Sequence, residues 1–425
     1  MNENRKIYLP IIFLLTWLIS TVLVFNFGPY DYKITNTLSF YVYLTFIHIA
    51  IFLGYFWGQT FEGQSIRVKI NYFKLVERVI SVAVLYVGIK LLLTGGGELR
   101  NFFQTFQDAN LSYIDRNVRA KSIFTYLDIF FVPVIIFAIT NTLFCYGKLS
   151  RWYRYSIYVL LLIIFCSAVG LATRSNIVKT GMISMAALTL GIYAKNLVLK
   201  PIHKIIIAGS VVAYLMAFFL YFAMLIENRD LKNIVVLRNP MTKELPKENY
   251  FLYEVTPPRI HVLIKDVAFY MSHAYYRLNQ SFELPTKGYG LGLSHSYFVM
   301  DNIEQYTGLR WLKEISYPLR LDKQSNIIFG MYWTTFYSWI ASDFSFPGTV
   351  VVVFLISLAL SVSLKDALFE FNPFAVSAFC TLFYFIFFFS FNNPMQDGQG
   401  ITTFFCIPLV WLILRKGFLK RKNVS

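Results

Sequence analysis

Residues 7–27 read IYLPIIFLLTWLISTVLVFNF and contain no charged side chain. An α-helix needs about 20 apolar residues to cross roughly 30 Å of hydrocarbon, so this stretch is long enough for one passage. Lipid offers no water to backbone amides and carbonyls, and a helix pairs these groups within the segment. The stretch therefore predicts a membrane-spanning helix. Residues 26–29 (NFGP) lack the small residues of a signal-peptide cleavage site, so we expect the helix to be retained.

Similar apolar stretches recur along the chain. Of its 425 residues, 56% are hydrophobic and 15% are charged, which leaves too few polar side chains to cover a soluble core. The further predicted spans lie near 38–58, 77–94, 123–145, 155–173, 176–194, 205–226, 345–364, 373–391 and 401–414. The sequence thus predicts an all-α, polytopic transmembrane bundle of about ten spans.

Basic residues gather in alternate connections of the predicted bundle. They lie at the N-terminus, in 67–78, in 148–154, in 195–204 and in the tail 415–422. Short cytoplasmic loops of membrane proteins are enriched in Lys and Arg, so these connections and both termini are predicted to be cytoplasmic. The net charge of +16 therefore reflects mostly the basic residues of the predicted cytoplasmic connections. No soluble basic domain is present that would favour nucleic-acid binding.

Two outward segments are longer than turns. Residues 95–122 open with three glycines and are predicted to form a short amphipathic surface segment. Residues 227–326 form a loop whose length is unusual without a function. We therefore divide the chain into 1–226 with seven spans, the large periplasmic loop 227–326, and 327–425 with three spans and a basic tail.

The large loop combines cationic and aromatic side chains. Arginine offers a fork of donors that suits phosphate oxygens, whereas Tyr and Trp stack on sugar rings. A sugar carried on a lipid pyrophosphate would use both chemistries. The same residues also fit interfacial anchors and solvated charges, and composition leaves both interpretations open. The loop residues concerned include Arg259, Arg277, Arg310, Arg320, Tyr276, His261, His273 and His295.

Local patterns subdivide the loop. Apolar residues at helical spacing predict an amphipathic helix over 262–279. The stretch 285–292 (PTKGYGLG) then breaks regular structure with three glycines. Such a stretch can present backbone amides to a phosphate, or it can be a plain turn. It lacks the Gly-Lys-Ser/Thr of a Walker loop.

Three stretches carry a family resemblance. They are 270–308 (YMSHAYYRLNQSFELPTKGYGLGLSHSYFVMDNIEQYTG), 326–353 (NIIFGMYWTTFYSWIASDFSFPGTVVVV) and 170–181 (GLATRSNIVKTG). In their order along the chain and on this topology they resemble Wzy-type oligosaccharide repeat-unit polymerases, integral membrane enzymes of O-antigen synthesis. Arg277 and Gly288 stand in the Arg-x10-Gly spacing of some members. Ser345 departs from the family, which usually has glycine there.

The resemblance implies glycosyl transfer at the outer face of the bacterial inner membrane. A glycan on undecaprenyl diphosphate would move onto the sugar of an incoming lipid-linked repeat unit. No metal or cofactor is implied, and a chain-length regulator protein is a possible partner. An O-antigen ligase, which transfers glycan to lipid A core, is the nearest alternative. A lipid-linked oligosaccharide flippase is a further alternative of another class, disfavoured by the large loop and the few charges within the spans.

The implied reaction assigns roles to particular residues. Arg174, in a turn between two spans, and Arg277 are predicted to stabilise the leaving diphosphate. Asp343, which matches the family's aspartate, is a candidate base beside His261, His273 and His295. Asp343 could equally cap the helix that begins near residue 346, and the arginines could be interfacial or solvated. Predicted substrate contacts are Arg259, Arg310, Arg320, His261, His273, Tyr276 and Gly288.

Overall fold

The computed structural model describes residues 3–68, 71–94, 96, 123–170, 174–196, 242, 245–325 and 333–416. Within these residues the secondary structure is helical, apart from isolated bridge positions such as the one between Ile66 and Arg415. The all-α class is therefore confirmed. The predicted surface segment 95–122 (except Gly96), the span 205–226 and the two boundaries of the large loop lie outside the described residues.

The helices are numbered here in chain order. They are α1 (Glu3–Phe27), α2 (Thr37–Gly58), α3 (Tyr72–Leu93), α4 (Ile123–Phe144), α5 (Arg151–Gly170), α6 (Arg174–Tyr193), α7 (Phe251–Val255), α8 (Pro258–Ser281), α9 (Tyr297–Thr307), α10 (Trp311–Ile315), α11 (Tyr317–Gln324), α12 (Phe336–Phe369), α13 (Pro373–Phe387), α14 (Gly398–Ile401) and α15 (Ile407–Leu414). A 3-10 turn at Tyr146–Lys148 precedes α5, and a π-helical turn at Thr402–Cys406 joins α14 to α15.

Nine of the ten predicted spans lie in the described part of the chain, and each of the nine is occupied by a helix. Among the described residues, five helices are long and apolar enough to cross a membrane: α1, α2, α4, α5 and α12. Large apolar side chains on their outer faces are exposed, among them Ile12, Phe130 and Leu162. Contiguous apolar faces of this extent are unfavourable in water and suit contact with lipid. The apolar helices thus indicate a membrane protein.

The closest helix pair is α2 against α12. Gly54 and Gly58 lie one turn apart on α2, and a side-chain carbon at Gly54 would overlap the Phe354 carbonyl. Small residues at this spacing let two helix backbones approach closely. Across the same contact the Ser357 hydroxyl donates to the Ile51 carbonyl at 2.6 Å. Because glycines have no side chains, α12 comes close enough for its Ser357 hydroxyl to bond to the backbone of α2.

The large loop packs onto the bundle through α8. The predicted amphipathic helix 262–279 is confirmed, and it begins earlier because Pro258 occupies its first turn, where no backbone N–H is needed. Tyr275 on α8 is fully buried, and its hydroxyl lies 3.0 Å from the Thr21 hydroxyl of α1. This contact fixes α8, and with it the turn that follows, on the end of the bundle.

Candidate functional site

The turn 285–296 after α8 carries no helix and runs across the kink of α12. The Gly290 amide donates to the Ser342 carbonyl at 3.0 Å, and the Leu291 amide donates to the Asp343 carbonyl at 3.4 Å. These carbonyls end the first half of α12, where helical partners run out. The glycine-rich turn therefore uses two of its amides to cap a helix.

Asp343 lies at the centre of this contact and is fully buried. Its Oδ1 accepts from the Ser294 amide at 2.7 Å, and its Oδ2 accepts from the His295 amide at 3.0 Å. The His295 ring reaches the same Oδ2 with Nδ1, at 2.8 Å. Because an ionised carboxylate only accepts, this contact places a proton on Nδ1, and in the neutral form of the ring Nε2 is then the acceptor. The imidazole is thus fixed in tautomer and orientation.

The interpretation of Asp343 as a helix cap was wrong. Its carboxylate binds the 294–295 segment, while Ser345 caps the second half of α12 by accepting from the Gly348 amide at 3.3 Å. Ser345 has φ 69° and ψ 169°, which separates the two halves of α12 by a kink. The kink lies where the resemblance places glycine, a residue that adopts positive φ without steric cost. Ser345 adopts a positive φ at this position, and its hydroxyl caps the helix half that follows.

His295 lies at the surface of the site. Its side chain is 12% exposed, whereas the carboxylate beneath it is 0% exposed, so solvent reaches the ring and not the aspartate. Ser296, the next residue, caps α9 through its hydroxyl, and the His295 carbonyl accepts from the Asn393 side chain at 2.6 Å. These bonds hold the backbone on both sides of the histidine.

Gly290 is required by the close approach of the turn to Asp343. A side-chain carbon there would overlap the Ser294 hydroxyl and Asp343 Oδ1. We expect Gly290→Ala to lower the free energy of unfolding by about 1–3 kcal/mol, the usual cost of overpacking. Gly88→Ala, on α3 with nothing within 4 Å, is the matched control and should be neutral or stabilising. Denaturant unfolding in detergent micelles measures both, and equal stabilities would contradict this close packing.

Arg277 is placed inside the loop subdomain. Its guanidinium is 2% exposed, lies 2.5 Å from Asp322 Oδ1 and donates to the Pro318 carbonyl at 3.2 Å. Burial raises the pKa of the Asp322 carboxyl above its usual value, and the nearby arginine acts in the opposite direction. In this geometry Arg277 joins α8 to α11, and a contact with substrate would require the pair to open.

His273 is buried on α8, outside the membrane-spanning helices. Its Nδ1 lies 2.8 Å from the Phe269 carbonyl, and its Nε2 accepts from the Trp333 amide at 3.2 Å. Burial, aided by the charge of Arg277, lowers its pKa from 6.5 to about 4, against the opposing effect of the Phe269 carbonyl. The buried ring is therefore neutral near pH 7.

A pH dependence of stability follows from His273. Below pH 6.5 the unfolded chain protonates this histidine and the folded chain does not until about pH 4. Stability is therefore fully present above pH 6.5 and falls as the pH drops through this window, by roughly 3 kcal/mol in total. Unfolding of wild type and His273→Gln in detergent, compared between pH 7 and pH 4.5, measures the difference. Parallel pH profiles of the two proteins would contradict the prediction.

The other predicted substrate residues are spread over the loop. Arg310 pairs with Glu304 at the surface, and Arg320 donates to the Pro285 carbonyl at 2.8 Å. The Tyr276 ring packs on the Tyr32 ring, and His261 Nε2 lies 2.9 Å from the Thr256 carbonyl. Gly288 has φ +135° in the turn before His295. The structure thus brings none of these side chains into the contact between Asp343 and His295.

Two predicted residues are described only by their backbone. Arg174 begins α6, and Arg259 lies in the first turn of α8, while their side chains lie outside the described part of the chain. Their assignments as diphosphate and substrate contacts stay predictions. Among the predicted catalytic residues, Asp343 is therefore the one whose described side chain meets a candidate base.

The sequence pointed to His295 only as one of several possible bases. No local pattern links it to Asp343, because the two residues are 48 positions apart. The one usable signal was the glycine-rich stretch before it, which allows a close approach to another backbone. No protein-family model, curated protein or solved structure matches this chain.

Proposed function

We propose that this protein is a membrane glycosyltransferase that polymerises undecaprenyl-diphosphate-linked oligosaccharide repeat units at the periplasmic face of the bacterial inner membrane. The observation that carries the proposal is the buried Asp343 carboxylate that orients the partly exposed His295 ring. A carboxylate that fixes the imidazole tautomer is a recurrent way to prepare a general base. The topology of about ten spans, with 227–326 periplasmic and both termini cytoplasmic, is part of this proposal.

The proposed reaction uses the second ring nitrogen of the histidine. His295 Nε2 accepts the proton of the acceptor sugar hydroxyl as its oxygen bonds to the anomeric carbon of the donor. The bond from that carbon to the diphosphate oxygen breaks, and its electron pair leaves with undecaprenyl diphosphate. The Asp343 carboxylate stabilises the imidazolium that forms. In this scheme Asp343 is a positioning residue, because its burial keeps it from substrate.

The surroundings of His295 suit a substrate anchored in lipid. Tyr289, Leu291 and Leu293 lie in the same turn and expose 47%, 78% and 42% of their surfaces. Exposed apolar side chains at the end of a membrane bundle favour the interface between lipid and water. A base held beside such a surface meets sugars that stay close to the membrane. The diphosphate would need cationic partners, for which Arg174 and Arg259 stay predictions.

Reconstitution of the purified chain tests the proposal. With lipid-linked repeat units in proteoliposomes, we expect a ladder of glycan lengths and one released undecaprenyl diphosphate per new linkage. Transfer of glycan to lipid A core without a ladder would contradict the polymerase assignment and support the ligase. Movement of lipid-linked glycan between leaflets without new linkages would replace both enzymes by a flippase. Gel electrophoresis and mass spectrometry of the lipid fraction distinguish these outcomes.

A further inference from the structure

A cavity of about 190 Å³ lies between α3, α4, α5 and α6, away from the side chains of Asp343 and His295. Its polar lining residues stand near one end of their helices: Lys90 near the end of α3, Asp128 in the second turn of α4, and Lys179 in the second turn of α6. Deeper positions are apolar, including Ile139 and Ile163. The cavity therefore has a charged mouth and a hydrocarbon interior.

The cations at this mouth differ in how closely their carboxylate partners lie. Lys90 Nζ lies 2.9 Å from Asp128 Oδ2, and the Tyr86 hydroxyl donates to the other oxygen at 2.6 Å, so these groups form a paired unit. Lys179 is partly buried and has no ion pair or hydrogen bond with the described residues. Asp397 acts on it electrostatically from beyond ion-pair distance, while its own carboxylate caps α14 at the Gly400 amide.

A cation inside an apolar bundle that has no partner at ion-pair distance is costly, and such residues mark ligand or ion sites. The group that would balance Lys179 must be anionic, and its remaining part must be apolar to fill the deeper cavity. The amides of Asn176 and Gln399 also line the mouth and can donate to anionic oxygens. Phosphate oxygens accept several charge-assisted hydrogen bonds at once.

The mouth is connected to the candidate base through the segment 393–399. Gln399 lines the cavity, and the Gln396 carbonyl accepts from the Phe298 amide at 2.9 Å and from the Ser296 hydroxyl at 3.2 Å, next to His295. Gly398 packs between Ile129 of α4 and Phe298 of α9 without room for a side-chain carbon. The segment 393–399 therefore contacts both the cavity and the residue next to His295.

We propose that this cavity binds an isoprenyl diphosphate, with the diphosphate at Lys179 and the first isoprene units among the apolar residues of α3 to α6. The inference rests on the proposed function, since it locates the lipid carrier of the donor or of the leaving group. Lys90 and Asp128 also line the cavity, and their pairing offsets the negative charge of Asp128 toward the headgroup.

Binding of farnesyl diphosphate to the full chain in detergent, followed by native mass spectrometry, tests the site. We expect saturable binding of one molecule, weaker binding of farnesyl phosphate, and little binding of phosphatidylglycerol or inorganic pyrophosphate. Lys179→Met should lower the affinity for farnesyl diphosphate by roughly 10- to 100-fold, the usual effect of losing a charge-assisted hydrogen bond. Lys179→Arg should keep most of the affinity. Lys195→Gln, an exposed lysine after the other end of α6, is the matched control and should bind as wild type.

Thermal unfolding separates a binding role from a structural one. Removal of a cation without a partner should leave the melting temperature of unliganded Lys179→Met unchanged or raised. A Lys179→Met protein that melts well below wild type would make Lys179 a structural residue and overturn the proposal. Pyrophosphate binding as tight as that of farnesyl diphosphate would make the mouth a site for a free anion, which also overturns the lipid assignment.

The two proposals fail in different experiments. If farnesyl diphosphate binds in a way that depends on Lys179, while the reconstituted wild type makes no linkage, the proposed lipid site is supported and the proposed glycosyltransferase activity is contradicted. If the wild type makes a glycan ladder but farnesyl diphosphate shows no saturable binding, the proposed activity is supported and the proposed lipid site is contradicted.

Discussion

His295→Ala is expected to lower the rate of glycan transfer by roughly 10²–10⁴-fold, the contribution of a positioned general base. The substitution removes the ring that would accept the proton of the sugar hydroxyl. It leaves the 294–295 backbone anchored, because the Ser294 and His295 amides still donate to Asp343. The variant should therefore stay folded and still bind the lipid-linked donor. Chain-length ladders and the initial rate of undecaprenyl diphosphate release, from equal amounts of purified protein, measure the loss.

Asp343→Asn separates positioning from binding in the same site. A carboxamide keeps one acceptor oxygen and gains a donor, so it no longer imposes one tautomer on the His295 ring and loses one of the two backbone bonds to Ser294 and His295. We expect kcat to fall with little change in KM, because the substrate does not touch the buried side chain. His48→Gln is the control for loss of a histidine, since that ring contacts the Leu44 carbonyl within α2. A full-length ladder at the wild-type rate from His295→Ala would remove the histidine from the proposed mechanism.

Arg415→Met is expected to lower the free energy of unfolding by about 3–5 kcal/mol, since it leaves a buried carboxylate without its charge partner. Arg415 and Asp366 are 1% and 0% exposed, and Arg415 Nε lies 2.7 Å from Asp366 Oδ2. A second bond joins Arg415 Nη2 to Asp366 Oδ1 at 3.2 Å. The pair ties the end of α15 to α12, and denaturant unfolding in detergent micelles measures its loss.

The double variant Arg415→Met with Asp366→Leu should regain part of this loss. It removes both buried charges, yet the Trp411 ring and the Gln64 amide, which donate to Asp366 at 2.9 Å and 2.7 Å, lose their acceptor. Arg151→Met, at an exposed arginine that begins α5, is the control and should stay within about 0.5 kcal/mol of wild type. A single variant as stable as this control would show that the pair adds nothing to the fold.

Sequence alone determined the helical class and most helix positions of this protein. An apolar run such as 7–27 must form a helix in lipid, because its backbone has no other hydrogen-bond partners there. The amphipathic repeat of 262–279 determined α8 in the same local way, and the glycines of 285–292 marked where helix stops. Each of these features depends on neighbours within a few residues, which is the information that a pattern contains.

Tertiary structure alone decided which polar side chains meet. His295 and Asp343 are 48 positions apart, and Arg277 and Asp322 are 45 apart, so no spacing rule could pair either set. Their partners depend on how α8 docks against α1 and on the kink at Ser345 that turns Asp343 toward the loop. The physical reason is that two amides of the irregular turn, those of Gly290 and Leu291, find acceptors at the broken end of α12. That contact made Asp343 the support of a histidine, a role that its sequence position did not reveal.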